Sequence, residues 1–209
     1  MKASLFFVSL AFLLSTACVW LVRELAWKKG WLAPVTSERW HRKPTALYGG
    51  IGIFLAYFFT ALMAFSFYRG SASHTLFIAL ILGGLGSFLL GLLDDLYHFR
   101  PLTKLIGQIV VSTFFIVAGG TFNVVPSQII NVLLTYFWFV CIVNAINLLD
   151  NMDALASGVV AISGTVLLAL LLISGNVVSS LPVLTTAIFV GAVLGFWVFN
   201  RHPATIFMG

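Results

Sequence analysis

Charged side chains are scarce in this sequence: Lys, Arg, Asp and Glu make up 8% of its 209 residues, against 61% for hydrophobic types. A soluble domain is roughly 25% charged, because polar groups must cover its surface. The scarcity therefore excludes a soluble enzyme and a disordered chain. The mean hydropathy of +1.09 indicates instead that the natural solvent of the chain is a lipid bilayer.

Cysteine is also rare, since only Cys18 and Cys141 occur, each within an apolar run. This excludes a secreted disulfide scaffold, and both thiols are expected to be small buried hydrophobes. The net charge is +5, but the basic residues are few and most lie in one loop. That distribution favours anionic lipid headgroups, so no nucleic-acid partner is expected.

Seven apolar runs approach the roughly 20 residues that a helix needs to cross the hydrocarbon core. They cover residues 3–22, 46–67, 75–93, 105–118, 129–149, 155–173 and 181–199, and the fourth is the shortest. Glycines within these runs predict close helix packing. The predicted fold is an all-α polytopic membrane helix bundle of about seven transmembrane helices, forming one integral-membrane domain over residues 1–209.

The distribution of Lys and Arg predicts the orientation. The segments that follow spans one, three and seven hold nine of these residues, whereas the even-numbered loops hold only Arg69. Since cytoplasmic loops are enriched in Lys and Arg, the N-terminus is expected in the periplasm and the odd-numbered loops in the cytoplasm.

Four polar clusters lie at span ends that this orientation places on the cytoplasmic face. Two of them, Asp94-Asp95 and Asp150 with Asp153, hold four of the six acidic residues. A carboxylate at a helix C-terminus is disfavoured by roughly 0.3–1 kcal/mol, so a compensating cation is expected. Asp94 and Asp95 should diverge by about 100° on a helix and therefore differ in role.

The cluster of Asp150 and Asp153 belongs to a longer repeat of polar residues at intervals typical of one helix face: Asn144, Asn147, Asp150 and Asp153. An interhelical hydrogen-bond seam is one interpretation, because carboxamides join helices inside membranes. A functional site is the other, since two carboxylates at membrane depth are costly for adhesion alone. The first loop contains another cluster, Arg39, His41, Arg42 and Lys43, which is followed by Pro44 and Gly49-Gly50. This cluster favours an anion site, because Arg and Lys pair with phosphates.

In this order the clusters resemble the polyprenyl-phosphate N-acetylhexosamine-1-phosphate transferase superfamily, which includes the lipid I-forming translocase and the transferases that initiate O-antigen and teichoic acids. The matching motifs are Arg39-x-His41-x-x-Pro44-Thr45 with Gly49-Gly50, Gly91-Leu-Leu-Asp94-Asp95, Asn144-Ala-Ile-Asn147-Leu-Leu-Asp150-Asn151-Met-Asp153, and Gly195-Phe-x-x-Phe199-Asn200-x-x-Pro203-Ala204-x-Ile206-Phe207-Met208-Gly209. Two departures stand out. Ala154 replaces a usual glycine, and the sequence ends before the magnesium aspartate and the C-terminal spans of the family.

The resemblance implies transfer of N-acetylhexosamine 1-phosphate from a UDP-sugar to undecaprenyl phosphate with release of UMP, which initiates a lipid-linked cell-envelope glycan. It implies Mg²⁺, with Mn²⁺ as an alternative, a bacterial inner membrane, an active site on the cytoplasmic face, and a homodimer as an open alternative. The expected catalytic residues are Asp94 and Asp95, and the expected metal ligands are Asp94, Asp95, Asn147 and Asp150. The expected substrate-binding residues are Arg39, His41, Thr45, Lys104, Asn144, Asn147, Asp150, Asp153 and Asn200.

Two alternatives remain. One is an inactive, truncated member of the family, in which Gly191 and Gly195 of span seven are expected to face helices outside this chain. The other is a fragment of a cation-coupled transporter. Transport sites tend to lie near the membrane midplane, whereas all four clusters lie at one rim, which disfavours the transporter.

Overall fold

Helices dominate the computed structural model, which describes residues 2–33, 44–67, 73–174 and 180–209. Within these residues the helices are α1 (Lys2–Lys29), α2 (Gly49–Phe67), α3 (Ser73–Tyr97), α4 (Pro101–Val117), α5 (Gln128–Leu149), α6 (Leu155–Ile173) and α7 (Leu181–Asn200). Six of these described helices are long and apolar enough to cross a membrane. The remaining one, α4, has 17 residues and is about 25 Å long. The predicted polytopic membrane helix bundle is confirmed.

Some helices extend beyond their predicted apolar runs, mainly at ends that carry polar residues. α6 begins and ends at the predicted residues, but α1 continues past residue 22 to Lys29 and α3 continues past residue 93 to Tyr97. Hydropathy marks only the part of a helix that lies in hydrocarbon, whereas backbone hydrogen bonding continues through the headgroup region. Asp94 and Asp95 therefore lie in the last turn of α3.

The chain divides into two compact units. One comprises residues 1–69 and 149–209, in which α1 packs on α2 and α7, and α7 also packs on α2 and α6. The other comprises residues 70–148, in which α3 packs on α4, and polar side chains link α4 to α5.

The packing of α7 on α1 depends on two glycines one helical turn apart. A Cβ at Gly191 would collide with the carbonyl oxygen of Val8, and a Cβ at Gly195 would lie 2.6 Å from that of Phe12. Beside them, the hydroxyl of Ser15 donates a buried hydrogen bond to the Ala192 carbonyl, at 2.6 Å. The expectation that these glycines face helices outside this chain is wrong, because the first helix of the same chain covers them.

A small β-structure closes one end of the unit formed by residues 1–69 and 149–209. Strands β1 (Leu32–Ala33) and β2 (Thr45–Ala46) pair antiparallel, and Ala46 also forms a parallel bridge to Ile206. The side chains of Ile206 and Phe196 are completely buried in the adjoining core. These long-range pairings fix the segment that follows α7 against the start of α2.

The two glycines at the start of α2 bind the segment that follows α7 through their backbone amides. The amide of Gly49 donates to the carbonyl of Phe207 at 2.8 Å, and that of Gly50 donates to the carbonyl of Met208 at 2.7 Å. A Cβ at Gly49 would lie 2.7 Å from the Phe207 oxygen. Backbone carbonyls therefore occupy both amides, and the close approach that these glycines permit is made by the segment that follows α7.

The two thiols are free in the structure, and their burial differs. Cys18 is half-buried in α1, whereas Cys141 is exposed on α5. The expectation of two buried thiols is therefore wrong for Cys141. An apolar side chain on the outside of a transmembrane helix needs no protein cover, because lipid tails are as apolar as a protein core.

Candidate functional site

The helix that carries the polar repeat ends earlier than its spacing predicts. α5 ends at Leu149, and residues 150–154 form a turn that leads into α6. Asn144 and Asn147 lie on the helix, but Asp150 and Asp153 do not, so the expected single helical face is wrong for the two carboxylates. Asp and Asn compete with helical hydrogen bonding through their side chains, which favours a turn here.

Ala154 closes this turn in a left-handed conformation, with φ of 60°. That region is costly for residues with a Cβ and favours glycine. The conformation gives a physical reason for the glycine that the family pattern carries at this position.

In the unit formed by residues 70–148, the turn between α3 and α4 brings Lys104 back to Asp94. The ammonium nitrogen of Lys104 lies 2.7 Å from Oδ2 of Asp94, while the amide of Phe99 donates to Oδ1 of the same carboxylate at 3.1 Å. Pro101 stands in the first turn of α4, where its missing N–H costs nothing. The short turn thus positions a cation on a carboxylate ten residues earlier.

Lys104 also contacts the neighbouring helix. Its ammonium donates to Oδ1 of Asn147 at 3.4 Å, so three of the predicted site residues, Asp94, Lys104 and Asn147, come together. An ammonium has three N–H donors. Two are used here, which leaves one for a ligand, such as a phosphate oxygen.

Asp95 has a different environment from Asp94. Its side chain is exposed, and no hydrogen-bond donor among residues 73–174 reaches its carboxylate. The divergence expected from helical geometry is therefore present: Asp94 is committed to Lys104 and to the turn, and Asp95 is open.

The donor chemistry fits magnesium at Asp95 better than between Asp94 and Asn147. The oxygens of Asp94 and Asn147 both contact Lys104, whose positive charge stands where a shared metal ion would bind. No group of three His, Cys, Asp or Glu side chains in the described ranges could hold a metal. Magnesium often binds through one or two carboxylates and keeps water or substrate phosphates as its other ligands. Asp95 fits a site of that kind.

In the other unit, Asp153 organises the segment that follows α7. Its Oδ2 accepts the amide of Ala204 at 3.1 Å and lies 2.9 Å from Nδ1 of His202. The imidazole is 84% exposed. A carboxylate on one ring nitrogen fixes the orientation of the ring, so Nε2 is directed to a ligand or to solvent. The sequence placed His202 near Asn200 but did not predict it as a site residue, because its partner lies 49 positions earlier.

Asn200 is buried, and its carboxamide is engaged within the protein. Oδ1 accepts from the Ser157 hydroxyl at 2.7 Å and from the Ala154 amide at 3.2 Å, and Nδ2 donates to the Ile206 carbonyl at 3.1 Å. The side chain thus joins the end of α7 to the start of α6 and to the following segment. This geometry positions the Asp153–His202 pair.

The remaining predicted site residues are Asn144, Thr45, Asp150, Arg39 and His41. Asn144 pairs its carboxamide with Gln108, one turn away from Asn147, and Thr45 is buried in β2. Asp150 is exposed in the turn after α5. Arg39 and His41 lie outside the described residues.

Comparison with known proteins agrees with the family resemblance of the sequence motifs. The model of glycosyl transferase family 4 matches residues 76–209. The chain is 33% identical over 210 residues to a decaprenyl-phosphate N-acetylglucosaminephosphotransferase of Mycobacterium tuberculosis, covering 90% of this chain and 51% of that protein. It is 29% identical over 198 residues to a probable undecaprenyl-phosphate N-acetylglucosaminyl 1-phosphate transferase of Bacillus subtilis, covering 90% and 53%.

A third relative is named for a different transferred group. It is a phospho-N-acetylmuramoyl-pentapeptide-transferase of Streptococcus thermophilus, 34% identical over 159 residues, which cover 67% of this chain and 44% of that protein. The chain spans about half the length of the curated relatives it matches. The matched region includes Asp94, Asp95, Lys104 and the two asparagines of the polar repeat, Asn144 and Asn147, so the chain belongs to glycosyl transferase family 4.

Proposed function

We propose that this chain takes part in the transfer of N-acetylhexosamine 1-phosphate from a UDP-sugar to polyprenyl phosphate, with release of UMP. The names of the relatives support a polyprenyl phosphate acceptor. The observation that carries the proposal is the ammonium of Lys104 held between Asp94 and Asn147, beside the open carboxylate of Asp95. The transferase family favours this function over a cation-coupled transporter.

In this reaction an oxygen of the lipid phosphate attacks the sugar-linked phosphorus of the UDP-sugar. The bond from that phosphorus to the bridging oxygen breaks, and UMP leaves with the electron pair. A phosphate monoester has a second pKa of about 6, so most of the lipid phosphate is already dianionic at neutral pH. The side chains therefore mainly position phosphates and balance charge, as is usual in phosphoryl transfer.

The two aspartates divide this work. Asp94 and Asn147 hold the ammonium of Lys104, which donates its remaining N–H to a phosphate oxygen. Asp95 would hold Mg²⁺, with Mn²⁺ as the alternative ion. When bound, the metal ion neutralises charge on the phosphoryl oxygens. In the other unit, Asp153 orients His202, whose Nε2 would contact the UDP-sugar.

The proposed location is the cytoplasmic face of a bacterial inner membrane, since a UDP-sugar is a soluble cytosolic substrate and the Lys and Arg distribution favours this orientation. Cysteine labelling of intact cells tests it, in a background with Cys18 and Cys141 replaced. A membrane-impermeant thiol reagent should label Gln128→Cys and not Lys29→Cys. The reverse pattern would overturn the orientation.

The function is tested in membranes from cells that express the gene at its native locus. With labelled UDP-N-acetylhexosamine, undecaprenyl phosphate and Mg²⁺, release of UMP should depend on the lipid and stop with chelator. Asp95→Asn should lower the rate by about a hundredfold or more, because lost charge neutralisation costs several kcal/mol and 1.36 kcal/mol is about tenfold.

Glu24→Gln is the matched control, since it also removes a carboxylate but from an ion pair with Arg23 on α1. It should leave the rate unchanged. Lipid-independent UMP release, or an Asp95→Asn rate equal to that of the unmodified protein, would contradict the proposal.

A further inference from the structure

Gln108 is a buried polar residue that neither the motifs nor the proposed mechanism uses. It lies on α4, one turn after Lys104, and is only 1% exposed. Its Nε2 donates to Oδ1 of Asn144 at 3.3 Å, and Nδ2 of Asn144 donates back to Oε1 of Gln108 at 2.8 Å. The two carboxamides therefore pair in both directions.

This pair lies one helical turn from the contact of Lys104 with Asn147, which joins the same two helices, α4 and α5. Lys104 contacts Asn147, and one turn further Gln108 contacts Asn144, so the two helices run antiparallel. Residues three or four apart lie on the same face of a helix. Lys104 and Gln108 thus face the same strip of α5, and neither contact is independent of the other.

A reciprocal carboxamide pair is more demanding than apolar packing. Both hydrogen bonds form only at one rotation of α5 and one axial position relative to α4, and any other arrangement leaves a buried amide unpaired. Asn144 is further restrained because Nδ2 also donates to the carbonyl of Val140 at 2.8 Å. The pair can therefore fix where Asn147, one turn later, presents its carbonyl oxygen.

We propose that Gln108 is a positioning residue for Lys104. By pairing with Asn144 it holds α5 where Oδ1 of Asn147 reaches the ammonium, and so keeps that ammonium between Asn147 and Asp94. The contact is independent of the reaction. Its consequence for turnover rests on the proposed function.

The test replaces Gln108 with Met, which has similar length and no amide. The acylation rate of Lys104 by a water-soluble amine reagent is measured in membranes by mass spectrometry. We expect this rate to rise several-fold, because the ammonium loses a hydrogen-bond partner. Turnover should fall mainly in kcat, since the phosphate contact of Lys104 strengthens in the transition state.

Thr113→Val is the matched control. It removes the hydrogen bond between Thr113 and Tyr136, 2.9 Å long, which joins the same two helices further from Lys104. It should not change Lys104 acylation. If it raises acylation as much as Gln108→Met does, the effect is general loosening of the helix pair and the proposal is overturned.

Gln108→Asn covers the case in which Gln108→Met does not fold. This variant retains a carboxamide at the buried position, but its side chain is one methylene too short for the reciprocal contact with Asn144. It should therefore also raise the acylation rate of Lys104. Unchanged Lys104 acylation in a variant that keeps the thermal stability of the unmodified protein would overturn the proposal. Raised acylation in a protein without transferase activity would keep the positioning role and reject the proposed function.

Discussion

The ammonium nitrogen of Lys104 lies 2.7 Å from Oδ2 of Asp94, and the two side chains are 22% and 19% exposed. At this depth water screens the pair less than it screens an ion pair at the surface. Loss of one partner leaves the other charge poorly compensated. The two residues therefore act as a unit in any reaction that uses either of them.

That coupling predicts non-additive kinetics. Lys104→Met and Asp94→Asn should each lower kcat/KM for sugar-phosphate transfer by about a hundredfold, equivalent to nearly 3 kcal/mol. The double variant should be little worse than the worse single variant, because residues that act as a unit are not additive. Steady-state UMP release from the four proteins measures this. A double variant whose loss equals the product of the two single losses would show that they act independently.

The Asp153–His202 pair predicts a separate effect on the UDP-sugar. His202→Ala should raise KM for the nucleotide sugar by about tenfold, the effect of losing a hydrogen bond worth roughly 1.5 kcal/mol. Stability should not change, because the imidazole is 84% exposed. His74→Ala, which removes an exposed histidine at the far end of α3 from Asp94, is the control. An unchanged KM for His202→Ala would exclude contact with the donor.

The helices could be predicted because their cause is local. Length and hydropathy identify a span whatever it packs against, which is why α6 begins and ends where the sequence predicts. Hydropathy also ends the fifth apolar run at residue 149, where α5 ends, whereas the spacing of the polar repeat predicts a helix that continues to Asp153. The carboxylate of Asp153 is stabilised in the turn by the Ala204 amide and His202, which come from after α7.

The candidate site was predictable in residue type and not in pairing. The family resemblance implied Asp94, Lys104 and Asn147 as site residues. Sequence reasoning favoured a metal ion shared by the aspartates and asparagines, whereas the ammonium of Lys104 lies between Asp94 and Asn147. A short turn decides this, and its path depends on backbone geometry, including a positive φ at His98, that spacing does not reveal.

The left-handed residue at the start of α6 predicts a stabilising substitution. Ala154→Gly should increase the free energy of unfolding by about 0.5–1 kcal/mol, since relief of roughly 1–2 kcal/mol outweighs the added freedom of the unfolded chain. Ala161→Gly, in the interior of α6, should instead lower the free energy of unfolding by about 1 kcal/mol. Unfolding of the purified protein in mixed micelles measures both. A lower stability for Ala154→Gly than for the unmodified protein would contradict the positive φ.

The contact between α7 and α1 predicts opposite outcomes for two identical substitutions. Gly195→Ala places a Cβ 2.6 Å from the Phe12 carbonyl oxygen and 2.7 Å from the Ser15 Cβ, so the helices must separate. Overpacking of this kind costs about 1–3 kcal/mol. Gly84→Ala in α3 meets no atom of the described residues within 4 Å, and the better helix propensity of alanine should add up to about 1 kcal/mol. The same unfolding assay should therefore show a lower free energy of unfolding for Gly195→Ala than for the unmodified protein. For Gly84→Ala it should show an equal or higher value. Equal stabilities would mean that α1 does not cover Gly195.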